Sequence, residues 1–235
     1  MASYRGASYV LEQLESILEQ LEVNDEVVIV DDASPDNTVE TIRSIADPRI
    51  RLIESPGNRG YVRAFETAVL ASRGEYVFLS DQDDVWVPGR VAAMLTALQS
   101  ARVVASNFEI LGGDSRPWIP PLRSTWDARP GANLLGIMVG YRAYYGCGMA
   151  FRRDMVPIFT PIPPYMRESH DLWLAICGNL AGSVAHLEQA TLLRRLHETN
   201  ETPAGFRSLG RIIAARIMLA RLIVEARRRI KRSAG

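Results

Sequence analysis

The sequence predicts an α/β fold built on a mainly parallel sheet with helices on both faces. Three observations carry this reading. Short apolar runs at 26–30, 50–53 and 76–79 alternate with stretches of helical periodicity. Each run ends abruptly in turn-forming residues, as buried strands do. The chain has 235 residues, 47% hydrophobic and 23% charged, which suits one large soluble domain or a domain with a small appendage.

The elements follow in order. Val10, Leu11, Leu14, Ile17, Leu18 and Leu21 recur at helical spacing and predict an amphipathic helix. Residues 26–30 read as a buried strand feeding the turn Asp31-Asp32-Ala33-Ser34-Pro35-Asp36. Ser34 or Asp36 is expected to cap the next helix, with Val39, Ile42 and Ile45 inward. A strand over 50–53 closes at Ser55-Pro56-Gly57-Asn58, and a helix is expected over 61–72. The strand at 76–79 runs into Ser80-Asp81-Gln82-Asp83-Asp84; Pro88 opens a helix through Leu98, and 103–106 forms a strand. Residues 112–130, rich in Gly, Pro and Trp, read as a long loop. A strand over 148–151, a helix over 170–180, extended segments over 184–187 and 192–196, and a helix over 206–231 complete the chain.

Charge and cysteine content narrow the function. Formal net charge is zero, so a globally basic nucleic-acid binder is not indicated. From Arg207 to Arg232 nine basic residues stand against one acid, Glu225; the remaining body holds 18 basic and 26 acidic residues. The total is therefore an acidic body of −8 and a basic tail of +8. Cys147 and Cys177 lack metal-ligand spacing and build no disulfide framework, which fits a reducing, cytoplasmic setting. No apolar run reaches the length of a membrane span, and no signal layout opens the chain. The sequon at Asn200-Glu201-Thr202 reads as chance in such a setting.

Two acidic clusters stand in equivalent places. Asp31/Asp32 and Asp81/Asp83/Asp84 each follow the C-terminal end of a buried strand. In an open parallel sheet those ends share the edge where ligands bind. Crowded carboxylates repel unless a cation or hydrogen-bond donors compensate. A divalent ion completed by substrate phosphates meets that need. Either cluster alone fits ordinary turn and cap chemistry; both on one edge point to function.

These residues belong to a longer series. Ala2-Ser3-Tyr4-Arg5-Gly6, Val30-Asp31-Asp32-Ala33-Ser34, Asn58-Arg59-Gly60, Gly74-Glu75-Tyr76 and Ser80-Asp81-Gln82-Asp83-Asp84-Val85-Trp86 come in that order. Gly146-Cys147-Gly148-Met149-Ala150-Phe151-Arg152, His170-Asp171-Leu172-Trp173 and Arg195-Leu196-His197 follow. The series resembles the ordered motifs of family-2 glycosyltransferases, in the manner of their rhamnosyltransferase-like bacterial branch, over roughly residues 1–200. The resemblance implies a GT-A, Rossmann-like domain over 1–205; the residue pattern of the remainder, 206–235, reads as a basic amphipathic helix. It implies inverting sugar transfer from a nucleoside-diphosphate sugar, dTDP-rhamnose or a UDP-sugar, to a glycan or lipid-linked acceptor, with Mg2+ or Mn2+.

Site roles carry over residue by residue. Tyr4 and Asp32 would frame the nucleobase beside Ser3, with Asp32 accepting a pyrimidine N–H. Asp81 would contact the ribose or support the metal, Asp83 would ligate it, and His197 would complete its shell or touch the phosphates. Arg63 would approach the diphosphate, although a solvent-facing helix arginine reads almost as well. Asp171 would be the catalytic base. The first member of its acidic pair is His170 here, which leaves one base. Met1 stands where the family has the last residues of its first strand, so that strand is expected to be short and an N-terminal extension to stabilise the domain.

Other readings fit less well. No GxGxxG follows the early strands; the run 146–151 fails at its last position and lies too late for a dinucleotide-dependent oxidoreductase. Lys231 is the only lysine, which excludes a P-loop. A sugar nucleotidyltransferase would want an N-terminal Gly-rich loop with a basic residue. A catalytically inactive sugar-nucleotide-binding module is the alternative retained. On the last helix Arg207, Arg211, Arg221, Glu225, Arg228 and Arg232 share a stripe, with Leu209, Ile212, Leu219, Leu222 and Ile223 on the other side, which Arg216 interrupts. That pattern suits an anionic membrane surface or packing on the domain equally.

Overall fold

Burial on both faces gives the first strands their unbroken apolar runs. The computed structural model describes residues 1–113, 120–196 and 209–233. β1 (Ala2–Ser3) pairs in parallel with β2 (Val27–Asp31), and β2 with β3 (Ile50–Glu54). α1 (Val10–Leu18) and α2 (Thr38–Ser44) pack Val10, Leu14, Ile17 and Ile42 against Val27 and Ile29. α3 (Tyr61–Ala71) covers the opposite face, setting Ala64 and Ala68 against Val28 and Val30. Neither expected residue is the N-cap of α2, which is Asn37 without a side-chain cap bond; Asp36 lies one residue earlier and accepts the Thr38 N–H at 3.3 Å, and Ser34 bonds Asp31.

β4 (Tyr76–Phe78), β5 (Val85–Trp86), β6 (Val103–Ile110), β7 (Met149–Arg152) and β8 (Val184–Arg194) form a second sheet, ordered β4-β7-β6-β8-β5. The β6–β8 pair is parallel, while β4–β7, β6–β7 and β5–β8 are antiparallel. The first sheet is thus parallel and the second mixed, because an apolar run specifies burial and not direction. The two extended segments at 184–187 and 192–196 merge into β8, whose pairing with β6 shifts register around Asn107.

Helices complete the layers: α4 (Arg90–Leu98), α5 (Pro130–Val139), α6 (Val156–Phe159), α7 (His170–Leu180) and α8 (Leu209–Ser233). Of the loop expected over 112–130, a 3-10 turn occupies Ser124–Trp126 and Pro130 opens α5; residues 114–119 lie outside the described residues. Leu134, Leu135, Ile137, Met138 and Val139 leave α5 too uniformly apolar to announce a helical period. Trp173 on α7 is fully buried and donates its indole N–H to the Phe159 carbonyl at 2.8 Å. Leu219, Leu222 and Ala226 of α8 join this core, so part of the helix's apolar side is spent on the domain.

The first strand, β1, is two residues long. The Met1 ammonium is buried and donates to the Val28 carbonyl at 2.8 Å, and burial lowers its pKa to about 5. Among the described residues no strand pairing joins the two sheets. Val28 of β2, Val77 of β4, Phe65 and Val69 line a cavity of about 610 Å³.

Candidate active site

The C-terminal ends of β1, β2 and β4 open onto a cleft of about 660 Å³. Ser3 ends β1 and Tyr4 follows it, Asp32 comes just after β2, and Asp81, Gln82, Asp83 and Asp84 come from the turn after β4. Tyr145, Gly146 and Cys147 approach from the turn before β7, His170 and Asp171 from the start of α7, and Arg194 from the end of β8. Seven of the eight residues expected in the site lie in described regions, and six of them line this cleft: Ser3, Tyr4, Asp32, Asp81, Asp83 and Asp171. His197 lies outside the described residues.

The structure does not bring Arg63 to the cleft. Its guanidinium donates to the carbonyls of Ile162, Pro163 and Met166 at 2.9, 2.9 and 3.1 Å and pairs with Glu66 at 2.7 Å. Helical phase turns it toward the segment that leads into α7, so it positions that segment. Arg63→Ala is therefore expected to destabilise the fold by about 1.5–3 kcal/mol, since three carbonyls lose a charged donor. Nucleotide affinity should stay unchanged; thermal melts beside titration calorimetry check both. A loss of affinity without a fall in melting temperature would return Arg63 to the donor site.

Asp31 and Asp32 do different work. Asp31 accepts the Ser3 hydroxyl at 3.0 Å and the Ser34 N–H and hydroxyl at 2.8 and 2.6 Å, which fixes the turn. Between the two, Ala33 is held at φ +61°, a left-handed conformation that alanine rarely adopts. Asp32 accepts the Arg59 N–H at 2.9 and 3.0 Å and the Gly60 N–H at 2.7 Å. A carboxylate offers about four lone-pair sites, so Asp32 keeps acceptor capacity toward the cleft it lines. Gln82 ties the nearby loop by accepting the Tyr4 N–H at 2.9 Å and donating to the Tyr4 carbonyl at 2.8 Å.

The acidic turn is electrostatically loaded. Burial, then the charges of Asp84 and Asp83, hold the Asp81 carboxyl well above the usual range. Burial, then Asp83, pushes Asp84 up to about 6. Asp84 Oδ1 accepts the Arg195 N–H at 3.2 Å, but Oδ2 is buried without a partner. Donor atoms of Asp81, Asp84 and Cys147 lie within 4.8 Å of one another. An orphaned buried oxygen beside a second carboxylate and a thiol is a donor set that fits a cation. Arg194 opposes this negative charge while stacking over Tyr145, its guanidinium carbon 4.8 Å from the ring centroid. Arg195 braces the turn by donating to the Asp83 carbonyl at 3.1 Å and pairing with Glu12.

Across the cleft, burial raises the Asp171 pKa to about 6, against the pull of backbone N–H groups that include Leu172 at 2.7 Å. His170 stacks on Phe65 with ring centroids 4.2 Å apart, and both its nitrogens are buried without partners. Burial drops its pKa to about 3, so the imidazole is neutral. A Cβ on Gly146 would stand 2.8 Å from His170 Nε2, which accounts for glycine there. Arg194 and Cys147 were not expected in the site, and Asp84 was expected only as a member of the acidic cluster, without a role of its own. Arg194 immediately precedes the Arg195 that was singled out, and strand alternation puts neighbouring residues on opposite faces.

A sheet edge carrying these carboxylates defines a class. The family model for glycosyl transferase family 2 matches residues 1–157, and the chain belongs to that family. A curated relative from Escherichia coli, the UDP-Glc:alpha-D-GlcNAc-diphosphoundecaprenol beta-1,3-glucosyltransferase WfgD, is 26% identical over 117 residues, 49% of this chain and 46% of its own. The chain spans 34% and 64% of the length of two further bacterial relatives. Among solved structures, Staphylococcus aureus TarS 1–349 in complex with UDP-GlcNAc superposes with TM-score 0.74 at 18% identity, covering 95% of this chain and 65% of TarS. The mannosyltransferase PcManGT from Pyrobaculum calidifontis, in complex with GDP-Man and Mn2+, superposes with TM-score 0.61 at 18% identity, covering 99% and 73%. The fold is GT-A.

Proposed function

We propose that the protein is an inverting glycosyltransferase. Residues 1–205 act as its catalytic domain, moving a sugar from a nucleoside diphosphate, dTDP-rhamnose or a UDP-sugar, to a hydroxyl of a glycan or lipid-linked acceptor. The observation that carries this reading is the pairing, in one cleft, of the Asp81–Asp84 turn with Asp171 on the facing helix. TarS and PcManGT hold nucleotide sugars on the same fold, and the WfgD name specifies a diphosphoundecaprenol acceptor.

Each residue has a task under this reading. Tyr4 lies against the base beside Ser3, and Asp32 uses its remaining acceptor capacity for a pyrimidine N–H. Asp81 meets the ribose or supports the cation, and Asp83 holds the cation together with His197. Mg2+ or Mn2+ bound there would stabilise negative charge on the departing diphosphate. Asp171 takes the acceptor hydroxyl's proton as that oxygen attacks the anomeric carbon, in a single displacement with inversion. Arg194 limits repulsion among the carboxylates. The basic segment over 206–235, which includes α8 (Leu209–Ser233), holds the enzyme at an anionic cytoplasmic membrane surface, where a lipid-linked acceptor resides.

The experiment is a donor panel. Purified protein with Mn2+ is incubated with dTDP- and UDP-sugars, and free nucleoside diphosphate is measured with and without acceptor lipid extract. Acceptor-stimulated release from one donor is expected; release from none would sink the transferase reading. Binding of a sugar nucleotide without turnover would favour the inactive binding module.

A further inference from the structure

Helix α8 is apolar on two opposite sides over its middle turns. Leu219, Leu222 and Ala226 face the domain core. Ile213, Ile217 and Val224 stand 52%, 58% and 48% exposed on the other side, with Ala220 among them, at the spacing of one helical stripe. Arg216 and Arg221 flank the stripe, and Arg227, Arg228 and Lys231 continue it into the last turns. Neighbouring α5 adds Leu135 and Val139, 64% and 62% exposed, with Tyr141 just beyond. The two helices adjoin: Arg216 Nη2 lies 2.9 Å from where a Cβ on Gly140 would stand. Single exposed apolar residues are ordinary, but a cluster drawn from two adjoining helices marks an interaction surface.

We propose that this α5–α8 face docks on an anionic lipid surface. Leu135, Val139, Ile213 and Ile217 enter the boundary between headgroups and acyl chains, and the flanking arginines meet lipid phosphates. Charge selects this occupant over a second copy of the chain. Self-association through this face would press two arginine rims together, and Glu225, the one acid of α8, is paired with Arg229 at 2.9 Å. The surface also lies close to the chemistry. Tyr145 and Gly146 line the cleft, and Tyr145 follows Tyr141 by at most about 14 Å of extended chain. The face differs from the one that helical periodicity alone suggests, because Leu219 and Leu222 are already taken by the domain.

The inference rests on the membrane-borne acceptor proposed above and names the surface that meets the membrane. Its test is vesicle flotation, with phosphatidylcholine alone and with added phosphatidylglycerol, at rising salt. Wild-type protein should float with the anionic vesicles only and be released by salt. Leu135→Ser/Val139→Ser and Ile213→Ser/Ile217→Ser should each weaken partitioning about tenfold or more, since binding scales with the apolar area inserted. Circular dichroism and turnover of a soluble donor should not change, because these side chains are solvent-facing. Wild type that ignores anionic vesicles, or an α5 variant that binds as wild type does, would overturn the proposal. So would a dimer in sedimentation velocity that these same substitutions dissolve. Vesicle binding by a protein that never turns over a sugar nucleotide would refute the transferase reading and leave the surface standing.

Discussion

Replacing Asp171 with Asn is expected to lower sugar transfer about 10²–10⁴-fold while sparing nucleotide affinity. The amide keeps the side chain's size and an acceptor oxygen for the Leu172 N–H, now 2.7 Å from Oδ1. It cannot take a proton. Asp32, Asp81 and Asp83, to which donor binding is ascribed, lie elsewhere in the cleft and are untouched. The wild-type rate should also depend on pH in a defined direction. Burial raises the Asp171 pKa to about 6, so the base is ionised above that pH and protonated below it. The acid limb of the rate profile should therefore bend near pH 6 and fall about tenfold per unit below. Transfer near the wild-type rate in Asp171→Asn would place the base elsewhere, with Glu168 the nearest candidate in sequence. Collapse of nucleotide affinity along with the rate would make Asp171 an organiser of the donor site.

Asp83→Ala should cost about 10²-fold or more in metal-stimulated transfer, as several kcal/mol of leaving-group charge stabilisation depend on the bound cation. The fold should not suffer. Asp83's charge is among the causes that lift both Asp81 and Asp84, so its removal relieves repulsion in the turn. Melting temperature at neutral pH is expected to hold or rise slightly, and the Asp84 pKa to move down from about 6. The measurements are rates across a manganese titration, with and without chelator, beside melts at two pH values. Full activity in the variant, or wild-type activity indifferent to chelator, would remove Asp83 from the metal site.

Much of this was legible in the sequence, for physical reasons that differ by region. The run at 27–30 ended in Asp31-Asp32 because a parallel strand buried on both faces must stop where the ligand edge begins. Helix α7 was expected over 170–180 and spans His170–Leu180. Other features left no local trace. The direction of β5 and β7 is set by the path the chain takes between strands, which an apolar run does not encode. Helix α5 packs Asn133, Gly136 and Ile137 inward yet is apolar nearly all round, so it has no polar face to reveal its period. Arg63 shows the limit of motif reasoning at a site. Its place beside Asn58-Arg59-Gly60 pointed to the diphosphate, whereas α3 turns it toward three carbonyls of the segment before α7. Asp84 and Cys147 stood within quoted motifs, but their mutual approach across the cleft, with Asp84 Oδ2 left unpartnered, is a fact of tertiary structure alone.

The central claim is that this cleft both binds a sugar nucleotide and splits it. The most direct measurement follows the donor's anomeric signal by proton NMR in one tube, with protein, Mn2+, an acceptor lipid extract and the donor that gives turnover in the panel. The account predicts loss of the donor signal, growth of a product signal of inverted anomeric configuration, and neither change with Asp171→Asn. A product that retains the donor's configuration, or a donor signal that broadens on binding yet never decays, would contradict it.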